Sequence, residues 1–142
     1  MSTDSTPTAK GTSQARMAVL TDLADNVSAC SDGRRLVAEH LARWQVPAQV
    51  SGKAALLTSE LIANAIQHAP PPLCLQISVD VDLVRVQMYD SEAVAPIVTR
   101  PDLNSVSGRG MWLIDTLATR WGFHQRPPGK EVWFEISFTR HR

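Results

Sequence analysis

Three side chains with complementary chemistry, a carboxylate, an amide and an imidazole, stand four residues apart in Glu60-Leu-Ile-Ala-Asn64-Ala-Ile-Gln-His68. At about 100° per residue along a helix they fall within an arc of roughly 80°. Leu61, Ile62, Ala65 and Ile66 take the other side, so one amphipathic helix carries both a core-facing stripe and a polar stripe. Asn64 offers a neutral oxygen of the kind a magnesium ion accepts while keeping water and phosphate ligands. Glu60, one turn earlier, is placed to orient or deprotonate an attacking hydroxyl. His68 lies near the expected helix C-terminus, where its positive form complements the dipole, and is read as structural rather than catalytic. Such residues also decorate ordinary solvated helix faces, so the stripe gains its weight from the segments that follow it.

Two of those segments carry chemistry of their own. Asp90 closes an apolar-alternating segment just before an irregular stretch, where a carboxylate can accept a hydrogen bond from an amino group on a base edge; aspartates at strand ends also form turns. Gly108-Arg109-Gly110 stands where a long loop meets a helix. Backbone amides there point along the positive end of the helix dipole and suit phosphate, although a short Gly-x-Gly also serves simply to permit a tight turn. The Walker phosphate loop is absent, because Gly52-Lys53 lacks both the earlier glycine and the following hydroxyl.

The elements that would position these groups follow from periodicity. Met17 to Leu20 reads as a short first strand. A polar link from Asp25 to Ser31 leads into a helix starting near Asp32-Gly33, along which Leu36, Val37, His40, Leu41 and Trp44 recur at helical spacing. Pro47 is expected to end that helix. Ser51 is the expected cap of the next one, which carries Glu60 to His68 and stops at Pro70-Pro71-Pro72. The period then changes to two. Leu73, Leu75, Ile77, Val79 and Val81, and after Asp82 the set Val84, Val86, Met88, read as a strand pair with one buried face. Val94 to Ser107, with Pro96 and Pro101, is a long loop of the kind that serves as a lid or binding segment. Gly108 to Gly122 reads as a turn into a third helix, and Val132, Phe134, Ile136 and Phe138 mark a last strand. Three helices over a mostly antiparallel open sheet of about four strands make an α+β two-layer sandwich.

Composition narrows the function classes. The 142 residues fit one domain, and 14 Lys plus Arg balance 14 Asp plus Glu, so net charge points to neither nucleic acid nor an anionic membrane as an obligatory partner. Cys30 and Cys74 lack the spacing of a zinc site or a disulfide scaffold, which suits a reducing cytoplasm. Residues 1–16 hold no hydrophobic run. They are read as a flexible tail rather than a secretory signal or membrane anchor, leaving 17–142 as the domain.

In this order and spacing the segments resemble the ATP-binding domain of the GHKL superfamily (gyrase, Hsp90, histidine kinase, MutL), and within it the small branch related to bacterial anti-sigma factor serine/threonine kinases. The resemblance runs from about Ser31 to Phe138. Glu60 to His68 matches the N box, Asp90 the adenine-reading aspartate, Ser107-Gly-Arg-Gly110-Met-Trp-Leu-Ile-Asp the second glycine box, and Gly129-Lys-Glu-Val-Trp133-Phe-Glu-Ile the last strand.

That resemblance implies a Bergerat-type sandwich with ATP between helices and sheet, beneath the loop from Glu92 to Ser107. Asn64 would coordinate Mg2+, Asp90 would accept from the adenine amino group, and Gly108, Arg109, Gly110 and Met111 would hold phosphate. Glu60 would activate a serine or threonine of an anti-sigma factor antagonist protein, and a sigma factor would be the regulated partner. Homodimerisation occurs among the relatives, although no stripe here demands it. The chain departs from the pattern at Asp90-Ser-Glu-Ala-Val-Ala-Pro96, which lacks the glycines of Asp-x-Gly-x-Gly, and at Glu131, which stands where a threonine often helps read adenine. Weaker nucleotide binding or an altered pose is expected. These departures also favour an alternative, a protein-interaction module of the same fold without kinase activity. Arg34, Arg35 and Arg43 are read as a solvated helix face rather than a partner surface.

Overall fold

The structure, a computed structural model, describes residues 15–23, 27–68, 73–98 and 110–140. Its elements are β1 (Arg16–Leu23), α1 (Val27–Arg43), α2 (Ala48–His68), β2 (Leu73–Asp80), β3 (Leu83–Asp90), α3 (Gly110–Leu117), β4 (Arg120–Arg126) and β5 (Gly129–Ser137). The five strands form one antiparallel sheet in the order β1-β2-β3-β5-β4. The three helices pack against it as an α+β sandwich, with α2 in contact with α1, α3, β3 and β5. Among the described residues no helix is long and apolar enough to cross a membrane.

Strict alternation builds the sheet. Leu75, Ile77 and Val79 of β2, Val84, Val86 and Met88 of β3, and Val132, Phe134 and Ile136 of β5 are all buried and lie in register across the three strands. They meet Val37 and Leu41 of α1, Leu57, Leu61 and Ile62 of α2, and Met111 and Ile114 of α3 in one core. Because successive side chains on a strand point to opposite faces, this register also fixes where the polar residues go. Asp90 and Lys130 continue the inward row and are cross-strand partners. Arg85, Glu131, Trp133 and Glu135 face the other side. There Glu135 bridges Arg85 and Arg120 at 2.7 and 2.5 Å, and Arg85 stacks 4.4 Å from the Trp133 ring centre.

Several boundaries differ from those expected. Helix α1 begins by Val27 rather than near Asp32-Gly33. Gly33 is not a helix start; it marks the crossing of α1 over α2, where a Cβ would lie 2.2 Å from Cδ1 of Ile62. The same helix closes before Pro47, through Gln45 in the left-handed region at φ 63°. Val46 N–H donates to Leu41 O and Gln45 N–H to Ala42 O, the paired bonds of a Schellman motif. Pro47 instead starts α2, its carbonyl accepting from the amides of Val50 and Ser51. Ser51 lies inside α2 with its hydroxyl on Ala48 O, so it does not cap that helix.

The sheet also has five strands where about four were expected. The addition is β4, an edge strand whose first residues, Arg120 to Gly122, fall in the segment read as helix and whose remainder had no assignment; α3 stops at Leu117. Most of β4 is exposed, so its side chains carry no buried alternation to reveal it. The expected tail falls almost wholly outside the described residues, as do Pro70 to Pro72 and the loop beyond Val98.

Candidate functional site

Between α2 and the ends of β3 and β5 lies a cavity of about 320 Å³, lined by Asn64, Ala65 and Gln67 of α2, Asp90 and Lys130 of the sheet, and the segment from Glu92 to Ile97. Pockets that take small ligands start at about this size. Its walls are mixed: Ala65, Val94, Ala95 and Ile97 are apolar, and the polar groups gather at one end of β3. The sequence puts them there for simple reasons. Asn64 follows the buried Leu61 by three residues on α2 and lies partly exposed at the edge of the core stripe. Asp90 is inward because Val84, Val86 and Met88 are.

The Asp90 carboxylate is engaged within the protein. Lys130 Nζ donates to its Oδ1 at 2.9 Å, with each side chain 4% exposed. The Glu92 amide donates to the same oxygen at 2.9 Å, closing an Asx-type turn. Lys130 Nζ also donates to Glu92 O at 2.8 Å, and Gln125 Nε2 donates to Ala93 O at 2.9 Å. Side chains of β4 and β5 thus hold the glycine-free turn after Asp90. Gly129 completes the arrangement: a Cβ there would stand 1.9 Å from Asp90 O and 2.7 Å from Ser91 Cα, so β5 approaches the end of β3 closely only because residue 129 has no side chain.

Glu131, expected to replace a threonine that stands before the last strand, lies within β5. That residue points to the opposite face, where its carboxylate is held by Arg126 and His124. The inward residue is Lys130. Alternation with Val132, Phe134 and Ile136 could have located it, since a lysine on a buried row needs a carboxylate partner.

Asn64 and Asp90 therefore share one cavity. Glu60 lies one turn back on α2, partly exposed, and outside the cavity lining. It is close enough to Cys30 of α1 to act on its thiol: burial raises the Cys30 pKa, the Glu60 carboxylate raises it further, and Arg34 lowers it. Arg34 also donates to Ser59 Oγ at 3.2 Å, and Arg35 pairs with Asp32 at 3.3 Å on the surface. Gly110 is the first residue of α3. Met111 is 2% exposed and belongs to the core, and it is not among the residues that line the cavity. Gly108 and Arg109 lie outside the described residues, as does the side chain of His68.

Comparison with solved structures finds the same fold in a crystal structure of the RsbU and RsbW domains of Rv1364c from Mycobacterium tuberculosis. The TM-score is 0.63 at 14% sequence identity, over 87% of this chain and 33% of that one. The chain thus spans about a third of that structure's length. No curated protein matches it in sequence. A profile described as the histidine kinase-like ATPase domain matches residues 22–136, including α2, Asp90, α3 and all of β5 except Ser137. The chain belongs to the histidine kinase-like ATPase domain family.

Proposed function

We propose that this chain binds Mg-ATP in the cavity between α2 and the sheet and transfers phosphate to a serine or threonine of an anti-sigma factor antagonist, thereby controlling a sigma factor. The observation that carries the nucleotide reading is the convergence of Asn64 and Asp90 on one cavity of about 320 Å³ with apolar walls. Membership of the histidine kinase-like ATPase family supports it, and the likeness to the RsbU and RsbW domain structure, with the motif resemblance, supports the regulatory reading.

The residues present fit such a ligand. Ala65, Val94, Ala95 and Ile97 offer apolar surface to a base, and Asp90 keeps Oδ2 as the oxygen that takes neither of its two bonds to Lys130 and Glu92. Asn64 would supply the one protein oxygen that a magnesium ion needs beside phosphate and water. The start of α3 at Gly110 aims amides at the phosphate end. Bound there, Mg-ATP supplies the phosphoryl group and the metal's charge neutralisation. The protein's part is positioning, together with acceptance of the substrate hydroxyl's proton at a Glu60 carboxylate oxygen. Transfer would add charge to the antagonist and so change which partner it holds.

Incubation with labelled ATP and candidate antagonists tests the kinase reading. Wild-type protein labels the antagonist, whereas Glu60→Ala retains nucleotide and loses transfer; equal transfer by that variant removes Glu60 from the mechanism. The glycine-free turn after Asp90 favours a second reading, a protein-interaction module of the same fold. That reading is the one left if ATP binds and Glu60→Ala leaves partner control unchanged.

A further inference from the structure

Strand β4 is one edge of the sheet, with β5 on one side and, among the described residues, no strand on the other. An edge strand offers unpaired N–H and C=O groups to another extended chain. Its sequence, Arg120-Trp-Gly-Phe-His-Gln-Arg126, holds three basic side chains and no acid. Alternation sorts them. Arg120, His124 and Arg126 stand opposite Glu135, Glu131 and Gly129 on the outer face, whereas Trp121 and Phe123 stand opposite the buried Phe134 and Val132 on the helix side.

The charges on the outer face are layered. Glu135 pairs with Arg120, and Glu131 with His124 and Arg126; the two carboxylate side chains are 9–10% exposed and their three basic partners 53–66%. Solvent therefore meets the donors and not the acids. A guanidinium carries five N–H donors, so Arg120 and Arg126 keep several beyond the ion pairs. On the helix side of the same edge Phe123 is 38% exposed. Basic side chains on an edge strand discourage pairing with a like copy, but that role does not call for an uncovered aromatic beside them.

We propose that the β4 edge receives an extended segment of a partner protein in which acidic residues alternate with apolar ones. Lying as a sixth strand, the segment continues the ladder with its backbone, meets Arg120, His124 and Arg126 with its acidic side chains, and covers Phe123 and Trp121 with its apolar ones. The shared period of two lets all three matches form at once. A second copy of β4 is disfavoured, because antiparallel pairing would set basic side chains against each other. Residues 1–14 of this chain also lack the pattern, with Asp4 their one acid. Nucleic acid could use the outer donors, but it would leave the backbone edge and Phe123 unmatched. None of Arg120, Phe123, His124 and Arg126 lines the nucleotide cavity, so this inference stands apart from the proposed function.

Fluorescence anisotropy of the full chain with labelled seven-residue peptides tests it. A peptide alternating glutamate and valine should bind at least about tenfold more tightly than one with the same residues in two blocks, or one alternating lysine and valine. The double variant Arg120→Gln, Arg126→Gln and the single variant Phe123→Ser should each weaken that binding by about fivefold or more. At saturation the β4 amides should exchange hydrogen more slowly. Equal binding of the alternating and blocked peptides, no binding of either, or β4 amides unprotected at saturation would overturn the proposal. Tighter binding of a labelled oligothymidylate than of the alternating peptide would overturn it in favour of a nucleic-acid surface.

Discussion

Lys130 and Asp90 face each other across β5 and β3 as a buried ion pair, 2.9 Å apart and each 4% exposed at the side chain. Removing one partner of such a pair leaves an uncompensated charge in a low-dielectric place. Lys130→Met should therefore lower stability by about 3–5 kcal/mol. Lys130→Met combined with Asp90→Leu should recover much of that loss, because neither charge then remains. Urea unfolding of the two variants and the wild type measures both steps. A double variant no better than the single would mean that the turn's hydrogen bonds, and not the charge, carry the energy.

Gly129 sets how closely the two strands approach. Because a Cβ at residue 129 would stand 1.9 Å from Asp90 O, Gly129→Ala must move backbone rather than a flexible side-chain end. A loss of about 1–3 kcal/mol or more is expected from overpacking, with a parallel loss of ligand affinity because Lys130 is the next residue. Thermal unfolding and nucleotide titration of the same variant check the two effects together. Wild-type values in both would show that the strand ends are more pliant than the packing implies.

Cys30 reports on Glu60. Burial is the main cause of its raised thiol pKa, Glu60 adds to it and Arg34 opposes it. A raised pKa leaves less thiolate at a given pH, and the thiolate is the reactive form. In a Cys74→Ser background, alkylation of Cys30 at pH 8 should run slower than that of a free thiol. Glu60→Gln should speed it by about two- to fivefold, since only the smaller of the two raising effects is removed. An unchanged rate would place the Glu60 carboxylate away from α1.

Much of this arrangement can be read from the chain, for identifiable reasons. The stripe from Glu60 to His68 and the alternation of Leu73 to Met88 reflect one buried face each, and a single buried face imposes a period. Asp90 is legible for the same reason, as the next inward position after Met88. Partners from separate segments are harder. The register that sets Lys130 opposite Asp90 joins strands 40 residues apart in sequence, and nothing local specifies it. Attention to Glu131 missed the inward row by one residue, which on a strand means the opposite face. The early start of α1 was hidden because Asp32-Gly33 looks like a cap, while Gly33 serves a helix crossing. Strand β4 was hidden because its mostly exposed side chains leave no buried pattern.

The measurement closest to the central claim is calorimetric titration with ATP, with and without magnesium, of the wild-type protein and Asn64→Ala. Asn64 is the better probe than Asp90 because it is partly exposed and outside the buried ion pair, so its loss leaves the fold intact. Saturable binding by the wild type that strengthens with magnesium, and a loss of that magnesium dependence in Asn64→Ala, is the result the account predicts. Folded wild-type protein that binds no nucleotide, or an Asn64→Ala variant with unchanged magnesium-dependent affinity, would contradict it.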